Sequence, residues 1–71
     1  MTTDRLVHMA NQIAAFFRSY PHDTAVEGIA GHIRLFWERR MREQLAAHVA
    51  AGGEGLDPLV IEAEKRLRVG A

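Results

Sequence analysis

The sequence predicts an all-α fold, built as a small helical hairpin followed by two shorter helices. Apolar residues recur three and four positions apart along most of the chain, and no segment alternates apolar and polar residues as a strand does. Pro21, Gly52-Gly53 and Pro58 stand where these apolar stripes end or begin. The 71 residues therefore predict one small helical domain, residues 1–71, with helices over about 3–20, 24–37, 39–51 and 58–68.

The first helix is predicted to begin at Thr3, a suitable N-cap, with Asp4 in the positive first turn. It is predicted to end at Tyr20, because Pro21 cannot continue the hydrogen-bond ladder. Apolar residues flank its core stripe on both sides, so the apolar arc is wider than the ~100° that a core-facing helix needs. Part of this surplus is expected to contact something outside the chain.

The second helix has a capping-box sequence at its start, Thr24-x-x-Glu27, in which each side chain can bond an orphan backbone N–H. Its core stripe runs from Val26 through Ile29, Ile33 and Phe36. A straight continuation would put Arg40 in the middle of the apolar face, and a buried unpaired guanidinium is costly. The sequence therefore predicts a bend or break near residues 37–40.

The third helix is predicted to carry a new stripe that begins at Met41 and to end at Gly52-Gly53, because glycine suits a left-handed C-cap. Asp57-Pro58 is a good start for the fourth helix, with an N-cap carboxylate and proline at the first helical position. Basic residues near its end, Lys65, Arg66 and Arg68, complement the helix dipole.

Composition excludes several classes of function. With no cysteine, the chain can form no disulfide and can hold neither a thiolate zinc site nor an iron–sulfur cluster. Nine basic and nine acidic side chains give a formal net charge of zero, so no global field attracts nucleic acid or acidic lipid. No apolar run approaches the ~20 residues of a membrane span, and the N-terminus lacks the pattern of a signal peptide. A cytoplasmic protein is expected.

No catalytic, cofactor-binding or metal-ligating residue is predicted. The four histidines lack metal-ligand spacing and are expected on the surface or hydrogen-bonded, with a structural hydrogen bond for His32. Ser19, the sole serine, has no orienting partner for nucleophilic catalysis. The segment Gly52–Gly55 lacks the Lys-Ser/Thr ending of a phosphate loop and is predicted to be a turn.

The candidate functional residues are those of a protein–protein interface, which is typically enriched in aromatic rings and arginine. Phe16-Phe17 and Phe36-Trp37 are adjacent pairs, and neighbours on a helix point ~100° apart. Each pair can send one ring to the core and one sideways, or both can widen the core stripe. The predicted partner interface comprises Phe16, Leu35, Phe36, Trp37, Arg39, Arg40, Met41 and Ile61. The arginines of segment Arg34–Arg42 can contact phosphates, clamp carboxylates of a partner or form a solvated face.

The segment Gly28–Met41, together with Met9–Ile13, Phe16-Phe17 and Gly52–Pro58, resembles the delta subunit of NAD-dependent, molybdenum-containing formate dehydrogenases. The resemblance covers roughly Leu6 to Leu67. The family usually has proline where this chain has Arg39, whereas Phe36, Trp37, Arg40 and Met41 match its pattern.

The resemblance implies a non-catalytic accessory subunit of a cytoplasmic complex that oxidises formate to CO2 and reduces NAD. It implies direct binding to the alpha subunit, which carries the molybdenum bis-pterin cofactor and iron–sulfur clusters. The beta and gamma subunits of the complex carry FMN and further clusters. Two alternatives stay open: a transient maturation factor for the same enzyme, and a small helical regulator that binds nucleic acid through Arg34–Arg42.

Overall fold

The computed structural model describes residues 1–69, which form four helices and no strand. The helices are α1 (Thr3–Phe17), α2 (His22–Phe36), α3 (Arg39–Ala50) and α4 (Pro58–Val69). The predicted all-α fold is confirmed. No helix within residues 1–69 is long and apolar enough to cross a membrane.

The four helices bury one apolar core, and α2 lies at its centre. α2 packs most extensively against α4 and next against α1. Small residues on α1 and α2, such as Ala10, Ala14 and Ala30, are fully buried and allow the helices to approach closely. The larger buried apolar side chains are Leu6, Val26, Ile29, Ile33, Trp37, Leu45, Leu56 and Val60.

Both ends of α1 differ from the prediction. The N-cap is Thr2 rather than Thr3, and its side-chain oxygen accepts a hydrogen bond from the backbone N–H of Arg5 at 3.3 Å. The helix ends at Phe17 rather than Tyr20, whose backbone N–H bonds the carbonyl of Phe17 at 3.0 Å. The chain must reverse before Pro21, and residues 18–20 make that turn.

The predicted capping box at the start of α2 is wrong. α2 begins at His22, and Pro21 occupies the N-cap position with no side-chain hydrogen bond to the helix. The fixed φ of proline lets the helix start two residues before Thr24, which therefore lies inside the first turn. Glu27 instead accepts a hydrogen bond from Arg66 of α4 at 2.7 Å.

The predicted break between α2 and α3 is confirmed. α2 ends at Phe36, and Trp37 and Glu38 are extended, with φ/ψ of −91°/136° and −65°/156°. α3 begins at Arg39, and Arg40 is exposed. The change of direction buries Trp37 at 6% exposure and keeps Arg40 out of the core.

The connection between α3 and α4 is a glycine-rich turn, as predicted. Gly52 and Gly53 have positive φ, and their N–H groups bond the carbonyls of Val49 and His48 at 3.0 and 2.8 Å, which is a Schellman C-cap. Asp57 caps α4 by accepting a hydrogen bond from the N–H of Leu59 at 2.9 Å. α3 itself ends at Ala50, one residue before the predicted end.

Candidate partner-binding surfaces

One side of the α1–α2 pair carries apolar residues that the core does not fully cover. On α1, Met9, Ile13, Phe16 and Tyr20 follow the spacing i, i+4, i+7, i+11, which places them along one side of the helix and the turn after it. Met9 and Ile13 are half-buried against the core, whereas Phe16 and Tyr20 are 68% and 47% exposed. The two residues of this stripe that are nearer the turn between the helices are therefore the more exposed ones.

Gly28 allows α1 and α2 to meet closely on this side. A Cβ at Gly28 would lie 2.4–2.8 Å from ring atoms of Phe17, so the ring occupies the space that a side chain would fill. The Phe17 ring also packs edge-on against Phe16 at a centroid distance of 5.0 Å and lies 5.7 Å from Tyr20. The three rings form one cluster, and the Phe17 ring packs this cluster against Gly28 of α2.

The same side of α2 continues with exposed apolar groups. His32 and Leu35 follow Gly28 at i+4 and i+7, and Phe36 adjoins them. Leu35 and Phe36 are 77% and 71% exposed, and the Phe36 ring lies 4.8 Å from the His32 ring. We call these residues the hairpin face: Met9, Ile13, Phe16, Tyr20, Gly28, His32, Leu35 and Phe36.

The structure separates the residues predicted for the interface. Phe16, Leu35 and Phe36 lie on the hairpin face, while Arg39 and Arg40 are exposed on α3. Trp37 is a core residue, and Met41 and Ile61 are half-buried and pack against the core. In each adjacent aromatic pair one ring turns inward and its neighbour stays exposed. The inward rings are Phe17 and Trp37.

A groove lies where α2, α3 and α4 meet. Its volume is about 460 Å³ and we call it the arginine groove. The lining residues are Arg34, Arg39, Arg42, Glu43, Ala46, Glu64, Leu67 and Arg68. Three of the four arginines in segment Arg34–Arg42 contribute to it, but Arg40 does not.

Glu64 is the least expected member of this groove. It is 2% exposed, and its Oε2 lies 2.8 Å from the Nε of Arg68, with which it forms an ion pair. The Oε1 of Glu64 and the Nε of Arg42 are both buried, and neither has a hydrogen-bond partner. Sequence reasoning missed Glu64 and Arg68, although Glu64 follows Val60 at i+4 and so stands on the core stripe of α4.

A second polar cluster joins α4 to the first half of α2. Arg66 donates to Glu27 at 2.7 Å and to Asp23 at 3.2 Å, and these hydrogen bonds, Glu27 first, raise the pKa of Arg66 above its usual value. His22 Nε2 lies 2.8 Å from a carboxylate oxygen of Glu62. These contacts are exposed, so they contribute little to the stability of the fold. Their main effect is to orient α4 against α2.

The other histidines lie in separate places. His48 Nε2 lies 2.8 Å from the carbonyl oxygen of Glu54, His8 is exposed, and His32 packs against Phe36. The structural hydrogen bond expected for His32 stays a prediction. Among residues 1–68, no group of three or more His, Asp or Glu side chains is arranged to hold a metal ion.

Comparison with known families identifies the family of the chain. Residues 5–63, most of the chain, match the family described as NADH-dependent formate dehydrogenase delta subunit FdsD. The chain belongs to this family. No curated protein and no solved structure matches it. The matched range spans the hairpin face and all of α3, and ends just before Glu64. Within this delta-subunit chain, the arginine groove therefore combines residues inside the matched range with Glu64, Leu67 and Arg68 beyond it.

Proposed function

We propose that this chain is a non-catalytic accessory subunit that binds the catalytic alpha subunit of a cytoplasmic NAD-dependent formate dehydrogenase. The observation that carries the proposal is the family match over residues 5–63. The hairpin face supports it, because a small chain that leaves Phe16, Leu35 and Phe36 about 70% exposed offers an apolar surface for a partner.

The accessory subunit acts by binding the native form of its partner. A ligand that binds the native state alone stabilises it by ~2.7 kcal/mol when present at a hundred times the dissociation constant. This stabilisation supports assembly of the alpha subunit and retention of its molybdenum bis-pterin cofactor. The iron–sulfur clusters of the complex belong to the other subunits, since this chain has no cysteine to ligate them. The FMN belongs to the beta and gamma subunits.

Co-purification tests the proposal. The chain is co-expressed untagged with the alpha, beta and gamma subunits, with the affinity tag on alpha, and the complex is washed in high salt and passed over a sizing column. We expect a stoichiometric band of this chain. A chain that dissociates during these steps is a transient maturation factor, and a chain that never appears with alpha is no subunit at all.

Substitutions on the hairpin face locate the contact. Leu35→Glu and Phe16→Glu should each weaken association by about 2 kcal/mol or more, about 30-fold in Kd, if these side chains are interface hot spots. Ala47→Glu is the matched control, because Ala47 is exposed on α3, away from the hairpin face. Circular dichroism of each free variant checks that the helices persist. Equal binding by all three variants would place the contact elsewhere.

A further inference from the structure

We propose that the arginine groove binds an acidic segment of a partner protein, with a carboxylate held by Arg34 and Arg42. The inference deepens the proposed function and rests on it, because the partner is then a subunit of the dehydrogenase. The groove is large enough for several side chains, at about 460 Å³. Its walls come from three helices, so its shape is fixed by the fold rather than by a loop.

The charges that line the groove are only partly neutralised within the chain. Arg39 pairs with Glu43 at 3.3 Å and Arg68 pairs with Glu64 at 2.8 Å, both four residues apart on their own helices. Within residues 1–68, Arg34 and Arg42 form no ion pair. Two guanidinium groups therefore remain to bind an anion, although the whole chain has no net charge.

Two buried polar atoms identify the class of ligand. The Nε–H of Arg42 is a buried donor without an acceptor, and the Oε1 of Glu64 is a buried acceptor without a donor. A buried polar group without a partner is costly, so a ligand that supplies the missing partner gains affinity. An acidic polypeptide offers both, since its carboxylates and carbonyls accept and its backbone N–H groups donate.

The remaining lining favours a polypeptide over nucleic acid. Ala46 and Leu67 give the groove an apolar part against which aliphatic carbons can pack. A phosphate group accepts hydrogen bonds but donates none, so it leaves the Oε1 of Glu64 without a partner, whereas the backbone N–H of a polypeptide can donate to it. No aromatic side chain lines the groove, whereas single-stranded nucleic acid is usually bound by stacking on such rings.

A cross-linking experiment uses the unusual lysine content of the chain. Lys65 is its sole lysine and is exposed outside the groove. Arg34→Lys places a lysine amine at the groove, whose lining otherwise has none, while keeping the positive charge. The co-purified complex is treated with a carbodiimide, which joins an amine to a carboxylate in contact with it, and the products are mapped by mass spectrometry. We expect the introduced lysine to join an Asp or Glu of the partner protein. A link confined to Glu43 or Glu64 of the same chain would overturn the proposal.

Charge-reversal variants measure how much the arginine groove contributes to the affinity for the dehydrogenase. Arg34→Glu should weaken association with the dehydrogenase at least 10-fold, and Lys65→Glu, which makes the same charge change on exposed α4 surface, should leave it within 2-fold. Circular dichroism of both free variants controls for folding. Equal binding of the two variants alongside a stoichiometric wild-type complex refutes the groove and leaves the accessory role standing. If the wild-type chain itself does not co-purify, the proposed function fails first.

Nucleic acid is tested directly as the competing ligand. Fluorescence anisotropy of labelled duplex and single-stranded DNA is measured against the free chain at physiological salt. We expect no saturable binding at micromolar protein. Saturable binding that Arg34→Glu abolishes would assign the groove to phosphates and overturn the proposal.

Discussion

The contact between Phe17 and Gly28 predicts opposite outcomes for two similar substitutions in α2. Gly31 has no heavy atom within 4 Å of an added Cβ, so Gly31→Ala should stabilise the chain by ~0.8–1.0 kcal/mol through helix propensity. Gly28→Ala has the same propensity gain, but its Cβ would come within 2.4–2.8 Å of three ring atoms of Phe17. Overpacking of this kind costs ~1–3 kcal/mol.

The difference between the two variants isolates the steric cost, because their propensity terms cancel. Gly28→Ala should therefore be less stable than Gly31→Ala by about 1–3 kcal/mol. In a chain of this size each kcal/mol shifts the midpoint by ~4–8 °C. Thermal unfolding followed by circular dichroism at 222 nm measures both midpoints against the wild-type chain.

The same two glycine substitutions, made in a Phe17→Leu variant, show whether the Phe17 ring causes the stability difference. Phe17→Leu removes the Cε1 and Cζ atoms of the ring, two of the three atoms that the added Cβ would meet, so the stability difference between the two alanine variants should narrow in that background. The reasoning is refuted if Gly28→Ala melts as high as Gly31→Ala. It is refuted equally if the gap is unchanged by Phe17→Leu.

Three further predictions concern the caps, the turn and the break, and thermal melts check each. Asp57→Ala should lower stability by ~0.5–2 kcal/mol through loss of the α4 N-cap, while Thr24→Ala should stay within ~0.5 kcal/mol, since no capping box forms. A large loss for Thr24→Ala would contradict the observed start of α2. Asn11→Ala should cost ~1–3 kcal/mol, because its side chain bonds the backbone on either side of the turn before α4 at 2.9 Å each; an unchanged midpoint would show that the turn does not need it. Trp37→Ala should cost ~3–5 kcal/mol as a buried aromatic truncation, whereas Arg40→Ala should change the stability by no more than ~0.5 kcal/mol, because Arg40 is exposed.

Local chemistry made much of the fold predictable. The break after Phe36 follows from one residue, because a straight helix would have buried Arg40. The start of α4 follows from Asp57-Pro58, in which the carboxylate and the proline favour the same helix boundary. In these places one local interaction dominates, and no distant contact opposes it.

Other features depend on neighbours that the sequence pattern does not specify. Thr24-x-x-Glu27 has the capping-box pattern, but Pro21 starts the helix earlier and Arg66 of α4 binds Glu27. Ile61 lies beside its own stripe, yet it is half-buried because Gly53 lies next to it, with a Cβ position 3.1 Å from the Ile61 Cδ1. Helical spacing gives the direction of a side chain, whereas burial depends on which element lies in that direction.

The same limit applies to the candidate surfaces. The aromatic pairs predict that one ring of each can turn sideways, and the structure decides that Phe16 and Phe36 are those rings. The arginine groove includes Glu64 and Arg68, which lie more than twenty positions after the arginines of segment Arg34–Arg42 in the sequence. Arg40 was of interest because a straight helix would bury its guanidinium group in the core. The break exposes Arg40, so this argument for a role at an interface no longer applies.

The pairing of α2 with α4 has a consequence for biosynthesis. Val60 and Ala63 of α4 fill the core against α2, although the residues that hydrogen-bond between these two helices are 39–43 positions apart in the sequence. Translation delivers α4 last of the four, and domains generally fold as units as the chain emerges. While α4 is still inside the ribosome, Val26 and Ile33 lack the helix that covers them. The nascent chain therefore completes its core after α3 has emerged, and docking surfaces that include α4 become available to a partner after that step.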